Sequence, residues 1–138
     1  MVHVSSIAAQ RPVLTAPLYV AAKSGISNFV RSLAELETPP KGLPSIRVTA
    51  VAPGVIKTPL WTDNPDKMKM IDSAKDVWVE PEDVAAVMLD LIENDKHISG
   101  TILEIGKDQV RPVELLNDGG PSGAGHTVSA LVKGADEV

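Results

Sequence analysis

Residues 2–23 read Val2-His3-Val4-Ser5-Ser6-Ile7-Ala8-Ala9-Gln10-Arg11-Pro12-Val13-Leu14-Thr15-Ala16-Pro17-Leu18-Tyr19-Val20-Ala21-Ala22-Lys23. The stretch opens on an alternating, β-branched run and closes on a helical one, and that order decides how the rest folds. Val2 to Ile7 reads as a strand, with Val2, Val4 and Ser6 on one face and His3 and Ser5 on the other. Ala8 to Pro17, with prolines at Pro12 and Pro17, reads as a loop from strand to helix. Tyr19 and Lys23 are four residues apart. On a helix their side chains share a face, and an ammonium beside a phenol favours the phenolate. A serine hydroxyl at the mouth of the adjoining strand can hydrogen-bond the same oxygen that a tyrosine protonates. Ser6, Tyr19 and Lys23 therefore form a proton-transfer set suited to an alcohol or a carbonyl. His3 stands alone, with no residue at metal-ligand spacing beside it.

Working outward, Leu18 to about Glu37 reads as a long amphipathic helix ended by Thr38-Pro39-Pro40. Its apolar stripe, Ala22, Ile26, Phe29, Val30 and Leu33, suits core packing, and with the small residues Ala21, Ala22 and Gly25 it also suits a helix–helix interface. Ile46 to Val51 reads as a second strand, so strand, helix and strand make a βαβ unit with parallel strands and a right-handed crossover. Ligands of such sheets bind beyond the carboxyl ends of the strands, where Ser6, Tyr19 and Pro53-Gly54 fall. Pro53-Gly54 predicts a tight turn, and Thr58 before Pro59 suits a helix N-cap with proline in the first helical position. Leu60, Trp61, Met68, Met70 and Ile71 decorate a polar, proline-interrupted segment. Glu80-Pro81-Glu82-Asp83 opens a further helix with its acids at the positive end of the dipole, and Val84, Val87, Met88, Leu91 and Ile92 form its buried stripe. Thr101 to Ile105 reads as a third strand, and beyond Gly106 the pattern fades.

Ser6 lies thirteen residues before Tyr19. With Tyr19-x-x-x-Lys23 and the downstream run Val51-Ala52-Pro53-Gly54-Val55-Ile56-Lys57-Thr58-Pro59, this resembles the active-site landmarks of the short-chain dehydrogenase/reductases over roughly residues 2–106. The resemblance implies an α/β fold: part of a Rossmann-like doubly wound parallel sheet, about three strands with crossover helices, lacking the N-terminal half. It implies an oxidoreductase interconverting a secondary alcohol and a ketone with NAD or NADP, Tyr19 as general acid/base, Ser6 holding the substrate oxygen, and Lys23 favouring the tyrosinate and binding the nicotinamide ribose. Tyr19, Lys23, Pro53, Gly54, Val55, Ile56 and Thr58 would contact cofactor, and Ser6 and Trp61 would line the substrate pocket, with the Trp61 segment as a mobile lid. By the same resemblance the glycine-rich phosphate loop, and the side chain that chooses NAD or NADP, lie upstream of Met1. Two alternatives follow: a truncated, non-catalytic remnant acting by association, or a longer enzyme whose start lies upstream.

The bulk properties narrow the partners. The chain has 138 residues and a net charge of −5 with acids and bases interspersed, which gives no basic patch for nucleic acid. It has no cysteine, hence no disulfide or thiolate metal site, and no long apolar run, so a soluble cytoplasmic protein without a membrane span is expected. Residues 1–112 form the expected domain and 113–138 a Gly/Pro/Ser-containing tail. The Gly119, Gly123 and Gly125 spacing mimics a phosphate loop but lacks the strand before it and the helix after it. The missing half would leave Val2-His3-Val4 as an unpaired strand edge, predicting a homo-oligomer or a partner chain that covers it.

Overall fold

The computed structural model describes residues 1–72 and 74–115; the glycine cluster at 119–125 lies outside them. The elements run β1 (Val2–Val4), a 3-10 turn (Ile7–Gln10), α1 (Pro17–Ser32), a second 3-10 turn (Ala34–Glu37), β2 (Thr49–Pro53), the one-turn helices α2 (Pro59–Thr62) and α3 (Pro65–Met68), α4 (Pro81–Glu93), β3 (Ile102–Gly106) and β4 (Gln109–Pro112). They build a 4-stranded sheet in the order β1-β2-β3-β4. β1, β2 and β3 are parallel, with Val2 opposite Thr49 and Ala50 opposite Ile102, while β4 returns antiparallel with Gly106 opposite Gln109. No helix among the described residues is long and apolar enough to cross a membrane.

The period-2 alternation of β2 sends its side chains to two separate cores. Ala50 and Ala52 pack with Val30, Val48 and Ile102 under α1, whereas Val51 packs with Val84, Leu91, Leu103 and Ile105 under α4. The two helices therefore cover opposite faces. Because β1, β2 and β3 step across the sheet in one direction, helices on opposite faces require crossovers of opposite hand. Right-handedness cannot hold for both βαβ units, and the general preference fails at one of them. The β2-to-β3 connection, residues 54–101, passes through α2 and α3 before α4, and a path that long is free to reach the far face.

Several expected boundaries move for local reasons. β1 stops at Val4 because Ser6 turns to cap the 3-10 turn, its Oγ accepting from the Ala8 N–H. α1 ends at Ser32 rather than near Glu37, where the backbone tightens into the second 3-10 turn and the Glu37 carboxylate takes the Ser99 N–H at 2.7 Å. β2 begins at Thr49 rather than Ile46, since the Ile46 N–H goes to Leu36 O and the Val48 N–H to Ser99 Oγ instead of to a strand. β3 is one residue later at each end than expected. β4 was invisible to periodicity because all four of its residues are exposed; it is joined to β3 by Lys107-Asp108, with Asp108 in the left-handed region at φ 61°. The sheet thus has four strands where about three were expected.

Helix α1 departs most from its expected packing. Of its apolar stripe only Val30 is buried; Phe29 is 51% exposed, Leu18 is 85% exposed, and Ala22 is open. On α4 the stripe is deeper, with Val84 and Leu91 buried and Val87 and Met88 partly so, but Ile92 is exposed.

Candidate active site

Pro17 opens α1, so Tyr19 falls in its first turn and Lys23 one turn later. The Lys23 Nζ lies 5.7 Å from the centre of the half-exposed Tyr19 ring and donates to the Val4 carbonyl at 3.0 Å. One side chain therefore joins the tyrosine's turn to the strand that leads into the serines. Ser6 is 7% exposed. Its oxygen accepts the Ala8 N–H at 3.2 Å, and no acceptor for its own proton occurs among the described residues. No hydrogen bond joins Ser6 to Tyr19 among those residues.

Ser5 is built in differently. Its Oγ bonds the Ser27 hydroxyl at 2.7 Å and donates to the Lys23 carbonyl at 3.1 Å, both within the β1–α1 interface. This is a docking contact between strand and helix, and it holds the backbone of Lys23 itself. Ser27 did not stand out in the sequence, although its place four residues after Lys23 puts it on the same helical stripe.

Ser6 lines a cavity of about 530 Å³ between α1, the first 3-10 turn and the β2–β3–β4 surface, with Gln10, Ser24, Ser27, Arg31 and Arg111 among its walls. The turn carrying Ser6 is pinned from two sides. Ser24 Oγ donates to Ala9 O at 3.2 Å, and Gln10 donates to Glu104 at 2.8 Å while accepting from Arg111 at 3.2 Å. Arg111 also pairs with Glu104. Residues from β3 and β4 thus steady a loop about a hundred positions earlier, and no local sequence signal could have indicated them. Arg31 donates to the Val113 carbonyl at 3.1 Å, and burial lowers its pKa. Trp61 lies outside this cavity, edge-on to Trp78 at 6.5 Å between ring centres.

After β2 the chain continues as an extended ribbon. Gly54 N–H bonds Ile105 O, Val79 N–H bonds Val55 O, and Lys57 N–H bonds Val79 O, so Ile56 bridges to Val79. A Cβ built at Gly54 would meet Ile105 O at 3.5 Å and Val79 at 3.6 Å, ordinary contacts with the chain itself. Because the bridge uses Val55 O and Lys57 N–H, the Ile56 amide and carbonyl stay available. Thr58 is the N-cap of α2 with Pro59 behind it, as its sequence suggests, yet its side chain makes no cap bond.

A donor and acceptor pair on Ile56, the Thr58 hydroxyl and the Lys23 ammonium match the carboxamide and ribose of a nicotinamide in chemistry. Among the described residues no loop with more than one glycine joins a strand to a following helix, so the phosphate-binding counterpart is not part of this set.

Comparison with known proteins places the chain in a family. The family model described as Enoyl-(Acyl carrier protein) reductase matches residues 1–106. The chain belongs to the short-chain dehydrogenase/reductase family. Among its short-chain relatives, the "Short-chain dehydrogenase/reductase homolog YusR" of Bacillus subtilis (strain 168) is 35% identical over 111 residues, covering 79% of this chain and 81% of that one. The 15-hydroxyprostaglandin dehydrogenase of Rattus norvegicus, named for NAD(+), is 29% identical over 117 residues, covering 76% of this chain but 42% of its own length. A solved 4-hydroxyisoleucine dehydrogenase complexed with NADH superposes with a TM-score of 0.56 at 27% identity, covering 75% of this chain and 44% of that one. A small-chain dehydrogenase in complex with NADPH gives 0.60 at 23% identity, covering 75% and 48%, and speaks for the fold alone. The chain therefore spans most of one short relative and less than half of these longer dehydrogenases.

Proposed function

We propose that the chain carries the proton-handling part of an NAD(P)-dependent short-chain oxidoreductase that interconverts a secondary alcohol and a ketone. The placement of Lys23, over the Tyr19 ring and bonded to the strand that leads into Ser6, supports this most directly. In reduction Tyr19 gives its hydroxyl proton to the ketone oxygen, and in oxidation it takes the proton of the alcohol. Ser6 spends its uncommitted proton on the same oxygen, which orients it and stabilises the charge that develops there. Lys23 stabilises negative charge on the tyrosine oxygen.

A bound nicotinamide supplies the hydride in one direction and accepts it in the other. Lys23 and Tyr19 would hold its ribose; Ile56 would hold its carboxamide, with Pro53, Gly54 and Val55 beside it; Thr58 would steady the amide or phosphates. The substrate is a small-molecule alcohol or ketone between Ser6 and the Trp61 segment.

Titration with NADH and with NADPH, followed by nicotinamide fluorescence, tests this. Saturable micromolar binding that is lost in Lys23→Ala and kept in Ser6→Ala is the expected result. Binding indifferent to Lys23, or none at millimolar cofactor, removes hydride transfer by this chain. The second outcome would favour the other reading, a non-catalytic family member acting by association.

A further inference from the structure

The cavity beside α1 has an end that the proposed reaction does not use. Ser6, with Ala9 and Gln10 of its turn, forms one wall, but Tyr19 and Trp61 are not among the walls. The cavity is therefore separate from the place between Ser6 and the Trp61 segment proposed for the reacting alcohol or ketone. Its floor is apolar and buried, made by Ala52 of β2 and Ile102 of β3. At about 530 Å³ it has the size of a small-molecule pocket.

The charges on its walls are unevenly satisfied. Arg111 pairs with Glu104. Arg31 has no such partner: its Nη2 donates to the Val113 carbonyl at 3.1 Å and to the Glu114 carbonyl at 3.5 Å, and no carboxylate pairs with it among the described residues. The side chain is partly buried, and that burial lowers its pKa. A guanidinium drawn partly out of water without a counter-ion favours an arriving anion. Its Nε and Nη1 donors remain open, and the Asn28 amide on the same wall, one turn earlier, makes no bond among the described residues. The opposing charge is Glu114, exposed on the wall and paired with no cation among those residues.

We propose that this cavity binds a small organic acid, its carboxylate on Arg31 and Asn28 and its apolar body over Ala52 and Ile102. Arg31 supplies a charge-assisted bond and Asn28 a neutral one. The helix sets the spacing. Ser24 is tied to Ala9, in the turn of Ser6, at 3.2 Å, and Arg31 follows Ser24 by seven residues, about 10 Å along α1. The carboxylate is thus held away from Ser6, and the body lies towards the turn that Ser6 caps.

Isothermal titration of the full chain with octanoate, without nucleotide, tests this, and its outcome does not depend on whether the chain binds NAD(P). One saturable site is expected, with octanamide, the same body without the charge, binding at least roughly tenfold more weakly. Arg31→Gln should abolish that preference for the acid. Glu114→Gln removes a repelling carboxylate from an exposed position and leaves Arg31 in place, so it should tighten octanoate by about two- to fivefold; this variant carries the test if Arg31→Gln does not fold. No saturable binding, equal affinity for octanoate and octanamide, or an unchanged octanoate affinity in Glu114→Gln would each overturn the proposal.

Discussion

Two neighbouring serines sit in different surroundings, and their variants should separate them. Ser5 is buried and bonds Ser27 and the Lys23 carbonyl, so Ser5→Ala strands a buried hydroxyl and should cost about 1–2 kcal/mol in urea unfolding. Ser6 makes one bond at the edge of a turn, so Ser6→Ala should leave the urea midpoint nearly unchanged and, under the proposed chemistry, lower turnover instead. Equal midpoints for the two variants would show that the serine assignments are wrong. Alternation in the sequence was enough to set Ser5 on one face with His3, and the spacing to Tyr19 selected Ser6; that the Ser5 face meets α1 shows only in the fold. Neither could indicate Ser27, because a serine on a helix has no signature until the strand it meets is known. Gln10, Glu104 and Arg111 were silent for the same reason: their meeting depends on a hairpin whose residues show no periodicity.

Elements were legible wherever burial writes a period, and they blurred at their ends. α4 keeps its proline and acids in the first turn as the sequence indicates, whereas the end of α1 and the start of β2 are set by bonds to Ser99 and Glu37 from distant loops. The turn after α4 offers two tests. Gly100 sits at φ 85°, and a Cβ there would approach that of Ala34 to 3.0 Å. Gly100→Ala should therefore destabilise by more than about 1 kcal/mol in thermal unfolding, through strain and contact together. At the same junction the hydrogen bond from the His97 ring, and then that from the Asn94 amide, hold the Asp90 carboxyl down to about 2 from 3.8. A depressed carboxyl contributes stability that is full above 3.8 and is lost as pH falls through that window towards about 2. Asp90→Asn should flatten the decline of stability with acid across this range; an unchanged slope would detach Asp90 from acid unfolding.

At the scale of the molecule, the α/β class and the parallel order were readable from the sequence. The opposite hands of the two crossovers were not, since no residue pattern records which face a long connection chooses. The matched region falls on less than half of several longer dehydrogenases. The sheet blunts one of its own margins: β4 ends in Arg111 and Pro112, a cation and a residue with no N–H to offer, and such a margin resists pairing with a further strand.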